Sequence, residues 1–224
     1  MYRRFLILFL TLLSPLTAQE KESPAKSDSG VQVRLLAEEA PSTLGKVFFA
    51  FGEAKSKGFS LPTQQLSESI PAPSRVMILK TIDKEIPLCT INLPDAGQAF
   101  AVVLVSAKTS GYTPIIVRTD DPAFKAGDVF FINRSEKIVL GKLGTNPLVL
   151  KPGETEKTRP SGAVDNTYYD IAFATREKAG DKLISSSRWP VDDQLRSYVF
   201  FFTTAEGGTS FRAVDEFITP GAKP

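Results

Sequence analysis

Residues 124–160 read FKAGDVFFINRSEKIVLGKLGTNPLVLKPGETEKTRP. A Gly127-Asp128 turn opens an apolar run over 128–133, and a polar turn leads to a second run over 137–143. Gly144-Thr145-Asn146-Pro147 turns again, and Leu148-Val149-Leu150 ends at Pro152-Gly153. Short runs of β-branched and aromatic residues, punctuated by Gly, Pro, Asn and Asp, predict strands joined by tight turns. The texture continues on both sides. Upstream it predicts strands over 31–36, 45–51, 75–80, 86–91, 98–105 and 112–118; downstream, over 168–175, 183–189, 197–204 and 210–217. No stretch sustains a helical period. The predicted fold is all-β, an antiparallel β-sandwich. It is read either as one continuous sandwich or as two tandem or duplicated immunoglobulin-like modules, 31–119 and 120–219.

The two halves echo each other. Asp95 and Asp192 share a 97-residue offset with Val117 and Val214, whereas the Val-Phe-Phe runs at 47 and 129 lie 82 apart. Aligned on those tripeptides, the second half carries an insertion of 15 residues, which the long polar loop over 154–166 would hold. That loop is where a distinctive feature is expected. A third Val-Phe-Phe, at Val199, falls elsewhere in the pattern.

The ends carry an address. Two arginines precede an apolar run over 5–13, and Ser14-Pro15-Leu16-Thr17-Ala18 follows, the layout of a signal peptide over 1–18. That run falls short of the ~20 residues a membrane span needs, so no transmembrane segment is expected once it is cleaved. Residues 19–30 are charged and Ser-rich and read as a flexible tether, and 220–224 as a tail. The expected location is exported, periplasmic or extracellular.

Charge and composition close off chemistries. Of 27 basic and 25 acidic residues, Arg3 and Arg4 fall in the signal, which leaves the remainder formally neutral. No basic stripe stands out, so nucleic-acid binding is not expected. Histidine is absent. That removes Ser-His-Asp and Cys-His nucleophile systems, His-based catalytic zinc and blue copper. Cys89 is the only cysteine, so no internal disulfide forms; it reads as a small buried hydrophobe, or else as an intermolecular disulfide partner. Ser23-Pro24-Ala25-Lys26 matches an S-x-x-K pattern but sits in the tether, and Gly141-Lys142-Leu143-Gly144-Thr145 lacks phosphate-loop order. Asn133-Arg134-Ser135 fits the glycosylation sequon. Asp120-Asp121, Asp192-Asp193 and Asp215-Glu216 are the carboxylate pairs, and neighbours on a strand point to opposite faces. No calcium signature accompanies them. No cofactor, metal or catalytic residue is assigned.

The candidate ligand-binding residues are Trp189, Tyr168, Tyr169 and Tyr198, with Phe211 nearby, since flat aromatics on an exposed sheet stack sugars. The competing reading places them in the core, where 16 phenylalanines already point to a large aromatic demand. The AGDVFFIN…LGTNPLVLKPGE texture, mainly over 124–153, resembles uncharacterised exported bacterial β-sandwich proteins, cupredoxin-like in outline. The resemblance implies a fold and no site, because the copper ligands of that outline are missing. The expected function is a non-enzymatic envelope protein, structural or protein-interacting. A carbohydrate-binding module is the alternative, and a carboxylate glycosidase the remote one. The expected partner is an envelope protein or a polysaccharide.

Overall fold

The computed structural model describes residues 30–218 apart from 108 and 205. The expected signal, most of the expected tether, the S-x-x-K motif and the expected tail lie outside the described residues. The first half holds β1 (Gln32–Ala37), β2 (Val47–Phe51), β3 (Ala54–Lys55), β4 (Ile70–Pro71), β5 (Val76–Thr81), β6 (Pro87–Asn92), β7 (Ala99–Ser106) and β8 (Tyr112–Arg118). The second holds β9 (Val129–Asn133), β10 (Val139–Leu143), β11 (Asn146–Leu150), β12 (Thr155–Thr158), β13 (Tyr168–Glu177), β14 (Gly180–Pro190), β15 (Leu195–Thr203) and β16 (Thr209–Phe217). The all-β expectation is borne out. Among the described residues no helix is long and apolar enough to cross a membrane.

Among the described residues, sixteen strands form four sheets, ordered β4-β1-β7-β8, β3-β2-β5-β6, β12-β9-β15-β16 and β11-β10-β13-β14. The second pair of sheets repeats the topology of the first, strand for strand. Most pairings are antiparallel, but β1 runs parallel to β7, and β9 to β15. A parallel pair needs a long crossover. Here the other sheet of each pair supplies it.

Three apolar layers separate the sheets. Val33, Leu35, Phe49, Leu79, Phe100 and Val102 lie between the first two sheets, and Phe131, Val139, Phe173, Val199 and Phe201 between the last two. A third layer joins the halves: Leu36, Ala101, Val103 and Val105 pack against Ile132, Tyr198, Phe200 and Val214. β7 and β15 are therefore covered on both faces. That explains why AFAVVLVS and LRSYVFFFT read as near-continuous apolar runs where a half-exposed strand would alternate.

The repeat corrects the alignment made on tripeptides. Val102 pairs with Ile116 and Val199 with Ala213, an offset of 97 in both strands. Leu35 faces Val102 as Phe131 faces Val199, an offset of 96. Val47 opposes Thr81 as Val139 opposes Thr175, offsets of 92 and 94 in the two strands. The Val-Phe-Phe run at 129 is thus the counterpart of β1, not of β2, and the expected 15-residue insertion disappears. The loop over 154–166 is not wholly irregular either: Thr155–Thr158 pairs with β9 as an edge strand, as β4 pairs with β1. The sequon is closed, because Asn133 is buried and its amide donates to the carbonyls of Lys137 and Leu150.

Candidate functional site

The strand period distributes the aromatic candidates. Tyr169 and Trp189 are cross-strand partners on β13 and β14, so both side chains fall on the inner face. Each is half-buried, and each packs against the second sandwich core, Trp189 edge-on to Phe173 at 5.9 Å. Tyr168, one residue away, points to the outer face, where the Arg188 guanidinium lies 4.7 Å above its ring. Tyr198 corrects the expectation of a surface aromatic: it is fully buried between the halves and donates its hydroxyl to Glu216. Burial, and then the Glu216 carboxylate beside it, push its phenol well above the ordinary range. Phe211 packs on Phe173 and Phe201.

Tyr169 and Trp189 meet in a cleft of about 220 Å³ at one end of the second sandwich. Its rim is the turn after β14, carrying Asp192 and Asp193, and its floor includes Asp215 from β16 and Val129 from β9. Asp192 caps the turn by accepting from the Gln194 backbone N–H at 2.7 Å, and Asp215 accepts from the Ser197 hydroxyl at 2.6 Å. Asp128 is taken by Arg159, Nε to Oδ1 at 2.7 Å, and Arg159 also donates to the Ala126 carbonyl. The cleft therefore combines two aromatic walls with three carboxylates that form no ion pair with a cation among the described residues.

The polar loop over 154–166 contributes here, delivering Arg159 and Pro160 to the cleft. It is held by a β-bridge between Gly144 and Ser161, and Asn146 donates to the Arg159 carbonyl at 2.6 Å. Gly144 must be glycine, since its φ is +63° and a Cβ there would come within 1.7 Å of the Ser161 carbonyl oxygen. The Gly141–Thr145 segment thus positions a cleft wall, and no phosphate-loop role is needed to account for it.

The three carboxylate pairs separate as adjacent strand and turn residues do. Asp120 accepts from Gln98 N–H and bonds Arg118; Asp121 pairs with Lys157. Glu216 turns away from Asp215 into the layer between the halves. No three His, Cys, Asp or Glu side chains among the described residues are disposed to hold a metal ion.

Cys89 lies against the first sandwich core, and burial pushes its thiol up to about 12. Thiolate, the reactive form, is then scarce at neutral pH. Alkylation of Cys89 by iodoacetamide in the folded protein should run on the order of a thousandfold slower than in the unfolded chain. Mass spectrometry of pulse-labelled protein reads the two rates.

No protein family matches the chain, and no curated protein matches it. Among solved structures, it is similar at a TM-score of 0.28 and 11% identity to a disulfide-locked mutant of intermedilysin with human CD59. That match covers 72% of this chain and spans 33% of the other.

Proposed function

We propose that this chain is an exported, non-enzymatic binding protein whose ligand is a saccharide held in the cleft beside Trp189. The supporting observation is convergence: two of the four aromatics singled out in the sequence share one cavity with Asp192, Asp193 and Asp215. A sugar ring offers an apolar face of C–H groups to an aromatic wall and a ring of hydroxyl donors to carboxylates. Concave sites with aromatic walls and a few convergent polar groups are the usual form of small-ligand sites. The protein-contact reading rests on exposed apolar side chains scattered over several strands, among them Phe51, Val149, Leu183 and Phe217.

Trp189 is the only tryptophan, so its emission reports the cleft directly. A binding sugar should shift it, and Trp189→Ala should cost about 2 kcal/mol, roughly thirtyfold in affinity. Emission that stays constant across a panel of envelope polysaccharides and their oligomers would sink the reading.

A further inference from the structure

The internal repeat places a second copy of the cleft in the first sandwich, and there it is filled. Thr81 opposes Val47 as Thr175 opposes Val139, which makes Arg75 the counterpart of Tyr169. Leu93, whose N–H donates to the Arg75 carbonyl at 2.8 Å, is likewise the counterpart of Trp189. Both aromatic walls are thus missing from the first repeat. Its Arg75 guanidinium folds over the following turn and donates to the carbonyls of Pro94 and Gly97, the latter at 2.9 Å. Pro190, the counterpart of Pro94, lines the open cleft. A second cation has also gone. Arg118 faces Phe100 as Asp215 faces Ser197, so a guanidinium in the first repeat is a carboxylate in the second.

We infer that the open cleft selects a cationic sugar, one bearing a protonated amine, which takes the place that Arg75 fills in the first repeat. The inference rests on the saccharide reading and narrows it. Two guanidinium groups have been exchanged for a phenol ring and a carboxylate, at matching registers. The sandwich end has thereby lost the cations at these two registers and gained an aromatic face and negative charge. Both gains favour a positive guest: carboxylates by direct pairing, and rings by the attraction of a cation to the π-face. Arg159 does not neutralise the cleft, because Asp128 holds it.

The test uses three short β-1,4-linked oligomers that differ only at the second carbon: glucosamine, N-acetylglucosamine and glucose. They are titrated against the protein by calorimetry at mildly acidic pH, where the sugar amine is protonated. The glucosamine oligomer should bind roughly tenfold more tightly than either neutral oligomer, and the gap should narrow with added salt. An Asp193→Asn, Asp215→Asn double variant should lose the preference. Tyr169→Arg, which installs the first repeat's own cation, should abolish binding, whereas Tyr169→Met should only weaken it. Equal affinity for all three oligomers overturns the cation inference and leaves the saccharide reading standing. Binding of none overturns both. A Tyr169→Arg protein that binds as well as Tyr169→Met also overturns the inference.

Discussion

Glu216→Ala should destabilise the protein by about 3–5 kcal/mol, the cost of leaving a buried cation without its partner. Glu216 is buried between the halves and receives Arg196 at 3.0 Å, Arg34 at 2.6 Å and the Tyr198 hydroxyl at 2.9 Å. Arg196 is itself buried; it donates to the carbonyls of Thr119 and Phe124 and lies 4.7 Å over the Phe124 ring. With the carboxylate gone, Arg196 stays in an apolar layer with its charge uncompensated. Because Arg34 comes from β1 and Arg196 from β15, the loss should fall on the joint between the halves. Chemical denaturation should show a lower midpoint. If the halves come apart before they unfold, the single transition should split in two.

Two controls separate the charge from the packing. Changing Glu216→Leu together with Arg196→Met should cost less than the sum of the single changes, since the buried guanidinium is then not stranded, and Arg34, about a third exposed, keeps water and the Ser67 carbonyl as partners. Additive losses would refute the assignment of the network as one unit. Tyr198 adds a pH term whose sign follows from its direction of shift. Its folded-state pKa is raised, so the stability tied to its proton is whole below the ordinary phenol value of ~10 and is lost as pH climbs above it. Tyr198→Phe should flatten that alkaline loss.

How much of this was legible in the sequence differs from element to element. The runs around 76–81, 99–106 and 195–203 announce themselves because their apolar residues are β-branched or aromatic and end at turn formers. The two-residue strands at Ala54–Lys55 and Ile70–Pro71 carry no pattern, and Thr155–Thr158 is a polar edge with almost no burial to signal it. Val-Phe-Phe misled the alignment for a physical reason. Such a tripeptide only says that alternate side chains are apolar, which suits β2, β9 and β15 alike. Trp189 and Tyr169 were readable as candidates, yet nothing local separates them from Tyr198, which the same strand logic buries. The Glu216 network was out of reach, because Arg34 is 182 residues away in the chain. Arg75 gains its meaning only from the strand register that makes it the first-repeat counterpart of Tyr169.

Phe173→Ala should cost about 3–5 kcal/mol, the range for emptying a large aromatic site from a packed core. Phe173 stands at the centre of the second sandwich, with ring centroids of Phe201 at 5.0 Å, Phe211 at 5.2 Å, Phe131 at 5.9 Å and Trp189 at 5.9 Å. Its ring also closes against Gly141, where an added Cβ would come within 3.3 Å of it. Four edge-to-face contacts disappear with one ring, and the strands of two sheets limit how far the neighbours can collapse. The same change reaches the cleft, because Phe173 is the surface against which Trp189 rests. Trp189 emission should therefore shift in the folded variant even without ligand, and saccharide affinity should fall as the ring loses its backing. Phe173→Leu, which refills most of the space, should recover most of the stability and part of the emission. Had Phe173→Ala left Trp189 emission unchanged, the core would not be what sets the wall of the cleft, and Trp189 would be positioned by the β13–β14 ladder alone.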